Sequence, residues 1–171
     1  MDRIVRFGPD GQLVGVLTGA ALPDAAPVLV LPSAGLLPRF GPFRLHVELA
    51  HGLEPLGIRT FRFEVPGVGE TPRIPGCGPR EATLAALDQL ARQYGCREFV
   101  VGGVCTAADL GWTSALADER VRGVLMLDGL AYTGPWYQFA RALGLLRRPP
   151  SEWLRAVWRR IRPPPADGPT W

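Results

Sequence analysis

The feature that most constrains the fold is a regular alternation of short apolar runs with segments of helical periodicity. Continuous apolar runs indicate strands buried on both faces, and they occur at residues 27–32, 98–103 and 122–127. Residues 58–63 alternate between polar and apolar and predict a less buried strand. Helical patterns lie between these strands, at residues 42–55, 80–94 and 106–117. The alternation predicts an α/β fold with a mostly parallel sheet covered by helices on both faces.

A β-hairpin is predicted ahead of this alternation. Residues 3–7 and 12–18 have strand-like patterns, and the Asp10-Gly11 pair between them is typical of a tight hairpin turn. The sheet should therefore begin with an antiparallel pair and continue with parallel strands.

The charge and composition change after Asp128, which predicts two parts: a core of residues 1–132 and a basic helical segment of residues 133–171. The second part has 7 arginines and 2 acidic residues, whereas the first part has 12 arginines and 14 acidic residues. The net charge of +3 therefore arises in the second part, and we expect no nucleic-acid partner. Residues 152–162 predict an amphipathic helix with an apolar face and an arginine face. It would either cover the core as a cap or make weak contact with an anionic membrane surface through residues 151–162.

Several classes of protein and site are not indicated. No apolar run reaches the roughly 20 residues that span a bilayer, and no signal-peptide pattern follows Met1, so we expect a cytoplasmic protein. Cys77, Cys96 and Cys105 form no C-x-x-C pair and should be reduced. His46 and His51 are five residues apart, which does not suit two metal ligands on one helix face. We predict no metal and no cofactor, and we interpret both histidines as solvent-edge or hydrogen-bonded structural residues.

The segment with the most chemical content joins the apolar run 98–103 to the next helix. Gly103-Val104-Cys105-Thr106-Ala107 has the small-x-nucleophile-x-small pattern of a nucleophile elbow, in which small neighbours let strand and helix approach each other. The pattern predicts that Cys105 projects from the end of the sheet, at the positive end of a helix. The Thr106 N–H would then point at a developing oxyanion. The alternative is a buried cysteine in a tight turn.

Two further loops of similar character each follow directly after a predicted strand. Residues 63–71 (Phe-Glu-Val-Pro-Gly-Val-Gly-Glu-Thr) are similar to a D-x-P-G-x-G-x-S loop, with Glu64 and Thr71 as replacements. A phosphate loop is the alternative there, but no lysine follows. Residues 31–37 form a Pro/Gly loop after the run 27–32.

These three loops together resemble those of the α/β hydrolases, which implies a three-layer sandwich. By this resemblance the loop at residues 31–37 supplies a second oxyanion-hole N–H, from Ala34 or Gly35, and Cys105 is the nucleophile. Arg39-Phe40-Gly41-Pro42 and Arg44-Leu45-His46-Val47 are, more narrowly, similar to the exosortase-system-associated hydrolases. That group has a G-x-C-S-G-A-D elbow, from which this chain departs at Thr106 and Ala107.

The acid and the histidine of a hydrolase triad are not both found in the sequence after Cys105. No histidine follows Cys105. Asp128 is the candidate acid, although it could equally cap the turn that follows. The C-terminal strands of the fold would need about 80–100 further residues, so we expect them to be absent from a truncated chain.

We expect hydrolysis or transfer of an ester or thioester acyl group from a small molecule, through Cys105. The alternative is a non-catalytic relative, or half of a split protein completed by another chain or by a second copy.

Overall fold

A computed structural model describes residues 2–23 and 26–129, together with Phe139 and Leu143. The chain divides into two compact units, Met1–Ala131 and Tyr132–Trp171, and all elements given below lie in the first. The helix predicted at residues 152–162 lies outside the described residues. The predicted roles of residues 133–171 as a cap or membrane contact therefore stay predictions.

The first unit has the predicted alternation of strands and helices. The strands are β1 (Asp2–Phe7), β2 (Leu13–Thr18), β3 (Val28–Pro32), β4 (Thr60–Phe63), β5 (Phe99–Val104) and β6 (Val121–Leu127). The α-helices are α1 (Leu45–Leu53), α2 (Pro79–Tyr94) and α3 (Thr106–Ala115).

All six strands form one sheet in the order β1-β2-β4-β3-β5-β6. The β1–β2 and β2–β4 pairs are antiparallel, whereas β4, β3, β5 and β6 run parallel. The prediction of a leading antiparallel pair followed by parallel strands is therefore confirmed. The carboxyl ends of β3, β4, β5 and β6 lie at one edge of the sheet, where the three loops singled out in the sequence meet.

The prediction that β4 is a less buried strand is wrong. All four of its residues are buried, because β4 lies in the interior of the sheet between β2 and β3. The polar position is Arg62, whose guanidinium donates to the Asp2 carboxylate at 2.5 Å and to the Thr18 hydroxyl at 3.4 Å. Burial alone would raise the pKa of Asp2, but the Thr18 hydroxyl and the Arg62 charge hold it below its usual range. The polar–apolar alternation therefore reflects a buried arginine that pairs with a partly exposed aspartate, and not a strand with low burial.

Helix α2 covers one face of the sheet. Its Leu87 and Leu90 are fully buried in a core cluster with Val30, Phe61 and Val101. At its start the Glu81 carboxylate accepts the Gly78 N–H at 3.1 Å, and it ends at Gly95 in the left-handed conformation (φ 67°).

The opposite face carries the end of α1. Leu53 and Ile58 line an apolar groove of about 300 Å³ with Leu29 and Val100, which alternate along their strands with the core residues. Helices therefore lie on both faces, as a three-layer sandwich requires. Within the part of the chain that the structure describes, no helix is long and apolar enough to cross a membrane.

Candidate active site

Cys105 is the single residue between β5 and α3. Its backbone is in a strained conformation for a residue with a side chain (φ 54°, ψ −122°), and its side chain is exposed. The Cys105 N–H donates to the Leu127 carbonyl at 2.8 Å, and its own carbonyl accepts the Ala108 N–H at 2.9 Å. These two hydrogen bonds tie Cys105 to the end of β6 on one side and to the first turn of α3 on the other. Regular structure on both sides therefore holds the strained conformation in place.

Close contacts around the turn depend on small residues. A Cβ on Gly103 would lie 3.2 Å from the Ala107 Cβ, and one on Gly102 would lie 2.1 Å from the Leu125 carbonyl oxygen. Sequence reasoning selected Gly103 and Ala107 but missed Gly111, where a Cβ would lie 2.3 Å from the Val101 carbonyl oxygen. Its signal was a glycine in the interior of a predicted helix, which often marks a close packing contact.

The loop after β3 lies directly against the start of α3. The Gly35 N–H donates to the Thr106 hydroxyl oxygen at 2.8 Å, across 71 residues of sequence. Gly35 adopts a left-handed conformation (φ 55°), and the Ala34 carbonyl accepts the Leu37 N–H at 2.9 Å. As the first residue of α3, Thr106 has a backbone N–H with no acceptor within the helix. The structure therefore brings together the three residues predicted for an oxyanion hole, but the Gly35 N–H already has a partner.

The loop after β4 is organised by a buried carboxylate. Glu64 accepts the Glu70 N–H at 3.1 Å and lies 3.5 Å from the Thr71 hydroxyl. It also accepts the Arg39 guanidinium at 3.0 Å and the Arg39 N–H at 3.3 Å. Glu64 thus ties the loop after β4 to the loop after β3.

A cavity of about 510 Å³ lies among these loops and α3. Gly35 and Thr106 line it, and most of its other residues are apolar or small, whereas Cys105 does not line it. Its charged members are Arg73 and Asp109, and the Asp109 Oδ1 is buried with no hydrogen-bond partner among the described residues. The complete lining is Ser33, Gly35, Leu36, Val65, Pro66, Gly67, Val68, Arg73, Pro79, Thr106, Asp109, Leu110 and Thr113.

Asp128 lies next to the elbow. It directly follows Leu127, whose carbonyl is bonded to the Cys105 N–H, and it is itself exposed with a positive φ of 53°. Among the described residues, no hydrogen bond joins its carboxylate to Cys105. The position suits a group at the edge of the site, and the acid role stays a prediction.

The interpretation of His46 as a solvent-edge histidine is wrong. The residue is 2% exposed, and neither ring nitrogen has a hydrogen-bond partner in good geometry among the described residues. The Nε2 atom lies 3.9 Å from the position that a Cβ on Gly103 would occupy. Burial lowers the pKa of His46, the nearby Arg62 charge adds to this, and the Arg39 main chain acts against it.

His51 is half exposed, and its Nε2 lies 3.4 Å from an Asp2 carboxylate oxygen. Among the described residues, no hydrogen bond connects either histidine to the Cys105 thiol. No group of three or more potential metal ligands occurs in the described part of the chain.

No protein-family model matches this chain, and no curated protein sequence matches it. Solved structures do resemble it. The alpha/beta hydrolase GrgF from Penicillium aligns over 91% of this chain with a TM-score of 0.61 and 18% identity. The chain has the α/β-hydrolase fold.

Other structures with this fold give the same result. A protein of unknown function from Agrobacterium tumefaciens, for which an α/β-hydrolase assignment has been suggested, aligns over 80% of this chain with a TM-score of 0.62 and 19% identity. An esterase from Pyrococcus furiosus aligns over 71%, with a TM-score of 0.58 and 13% identity. This α/β-hydrolase-fold chain spans 64% of the length of the Agrobacterium protein, 55% of GrgF and 46% of the esterase.

Proposed function

We propose that this protein transfers or hydrolyses ester or thioester acyl groups, with Cys105 as the nucleophile. The observation that carries the proposal is the strained, exposed cysteine at the junction of β5 and α3, in a fold shared with hydrolases. A strained backbone at an exposed nucleophilic side chain is costly, and it persists where the position of that side chain matters.

The proposed reaction begins with attack of the Cys105 thiolate on the acyl carbonyl carbon. The carbonyl electron pair moves onto oxygen and is stabilised by the Thr106 N–H at the start of α3, for which the described residues provide no other acceptor. Collapse of this intermediate breaks the bond to the leaving alcohol or thiol, which takes up a proton. A thioester on Cys105 remains, and water or another acceptor then removes the acyl group.

The cavity beside Thr106 and Gly35 supports a small acyl substrate. Its volume of about 510 Å³ lies in the range of small-molecule sites, and its lining is mostly apolar. We propose that the acyl chain lies there, with its carbonyl directed at Thr106. The Arg39-Phe40-Gly41-Pro42 segment supports a further assignment to the exosortase-associated group of these hydrolases.

The test is a burst experiment with p-nitrophenyl butyrate. Wild-type protein should release about one equivalent of p-nitrophenolate per chain in a fast phase, because acylation precedes a slower deacylation. Cys105→Ala should abolish the burst. The matched controls are Cys77→Ala and Cys96→Ala, since both of these thiols are buried, and each should keep it. A burst that survives Cys105→Ala would refute the proposal.

A second candidate function, that of a protein without a catalytic base of its own, is favoured by the positions of the histidines. His46 is buried and the His51 ring lies next to the Asp2 carboxylate. Among the described residues, neither histidine therefore contacts Cys105 as a general base. Loss of a general base typically costs about 10²–10⁴ in rate. The protein would then be a non-catalytic relative, or would receive its base from another chain or a second copy.

Free imidazole distinguishes these two outcomes. If only the base is missing, added imidazole should speed loss of the acyl group from preformed acyl-Cys105, followed by intact mass. A non-catalytic relative would form no acyl-protein at all.

A further inference from the structure

The Thr106 hydroxyl belongs to the same residue as the backbone N–H that we propose as an oxyanion donor. It accepts the Gly35 N–H at 2.8 Å, so the loop N–H predicted to stabilise an oxyanion is already engaged. Thr106 is exposed, follows the candidate nucleophile directly and lines the 510 Å³ cavity. A substrate oxygen approaching this region meets the Thr106 hydroxyl.

The hydroxyl proton of Thr106 is free to donate. A threonine hydroxyl has one donor and two acceptor lone pairs, and the Gly35 N–H takes up one lone pair. The other serine and threonine hydroxyls in α2 and α3 donate to a carbonyl of their own helix. Thr83 donates to Pro79, and both Thr113 and Ser114 donate to Leu110. Thr106 is the first residue of α3, so no helical carbonyl precedes it, and no acceptor for its proton is found among the described residues.

We propose that the Thr106 side chain is an oxyanion donor of this site. The Gly35 N–H holds and polarises the hydroxyl, and the hydroxyl donates its proton as a hydrogen bond to the oxygen of the tetrahedral intermediate. The same oxygen accepts the backbone N–H of Thr106, so one residue supplies both donors. The Thr106 hydroxyl keeps its proton: when the intermediate collapses, the oxygen returns its electron pair to carbon and the leaving group departs. This inference rests on the proposed role of Cys105.

The test compares two reactions of the same thiol. Acylation by p-nitrophenyl butyrate passes through an oxyanion, whereas alkylation by iodoacetamide displaces iodide without one. Thr106→Val keeps the shape of the side chain and removes the hydroxyl. Removing one oxyanion donor costs about 10²–10³ in rate, so single-turnover acylation should slow by about that factor in T106V. The rate of Cys105 alkylation should not change.

Two further variants separate the hydroxyl from the methyl group. Thr106→Ser keeps the hydroxyl and should recover acylation relative to T106V, whereas Thr106→Ala should be as slow as T106V. Urea midpoints of all three variants show whether the fold is retained, and T106A carries the test if T106V does not fold.

Three results would overturn the inference, each in a recognisable way. Acylation of T106V at the wild-type rate would mean that the hydroxyl does not stabilise the oxyanion, and faster acylation would mean that it blocks the Gly35 N–H. Equal slowing in T106S and T106V would mean that the side chain acts through packing. Wild-type protein whose Cys105 is alkylated but never acylated would refute the proposed function itself.

Discussion

Replacing Gly111 with alanine tests how closely α3 approaches β5, the contact that shapes the strained turn. A Cβ at Gly111 would lie 2.3 Å from the Val101 carbonyl oxygen and 2.9 Å from the Gly102 Cα. Ordinary contact begins at 3.4 Å, so the helix and strand must separate by about 1 Å. The neighbours are backbone atoms of an interior strand, which cannot turn aside as a flexible side chain could.

The magnitude follows from two opposing effects. Alanine is favoured over glycine in a helix interior by about 1 kcal/mol. Overpacking costs about 1–3 kcal/mol, and contact with backbone puts this position at the upper end. The expected net loss is about 2 kcal/mol in the free energy of unfolding. A displacement of about 1 Å at an active site can also cost about 10² in rate, so acylation of Cys105 should fall as well.

Gly52 provides the matched control, because it is a glycine in α1 with no heavy atom within 4 Å of an added Cβ. Gly52→Ala should stabilise the protein by up to about 1 kcal/mol. Urea unfolding of both variants and the wild type, at equal m-values, gives the comparison. If Gly111→Ala is as stable as Gly52→Ala, the close approach of α3 to β5 does not limit this fold.

Two further predictions concern buried charged and titratable groups. Burial lowers the pKa of His46 below its ordinary 6.5, so the unfolded chain binds this proton more readily, and stability is lost as the pH falls below that value. His46→Leu should therefore lose less stability than wild type between about pH 7.5 and pH 5.5 in urea unfolding, and an equal loss would contradict this. Glu64→Ala leaves the partly buried Arg39 guanidinium without its buried partner and should cost about 3 kcal/mol. Glu70→Ala removes a carboxylate that is 87% exposed from the same arginine and should cost no more than about 0.5 kcal/mol; similar midpoints for the two variants would refute the distinction.

The strands, the helices and their succession along the chain could be predicted from the sequence because each depends on local periodicity. Continuous apolar runs marked β3, β5 and β6, and the hairpin turn at Asp10-Gly11 marked the antiparallel start. The burial of β4 could not be predicted. Its polar residue, Arg62, is satisfied by Asp2 and Thr18, which lie in other strands.

Some contacts in the candidate site could not be predicted from local sequence patterns either. The elbow could be located because its small residues are close together in sequence. The Gly35–Thr106 hydrogen bond joins the loop after β3 to the start of α3, 71 residues further along the chain, and depends on the rotamer of one hydroxyl. His46 was misjudged because the helical pattern does not show that its ring lies against β5 near Gly103.

The most direct test of Cys105 as the nucleophile is to find which residue carries an acyl group after brief reaction with p-nitrophenyl butyrate. Trypsin cleaves after arginine and places each cysteine in its own peptide: Cys77 in residues 74–80, Cys96 in residues 93–97 and Cys105 in residues 98–120. Fragmentation of the third peptide separates Cys105 from its serine and threonines. We predict one butyryl group per chain, on Cys105, and none in Cys105→Ala. A butyryl group on another residue, or none on Cys105 of the folded wild-type protein, would contradict this prediction.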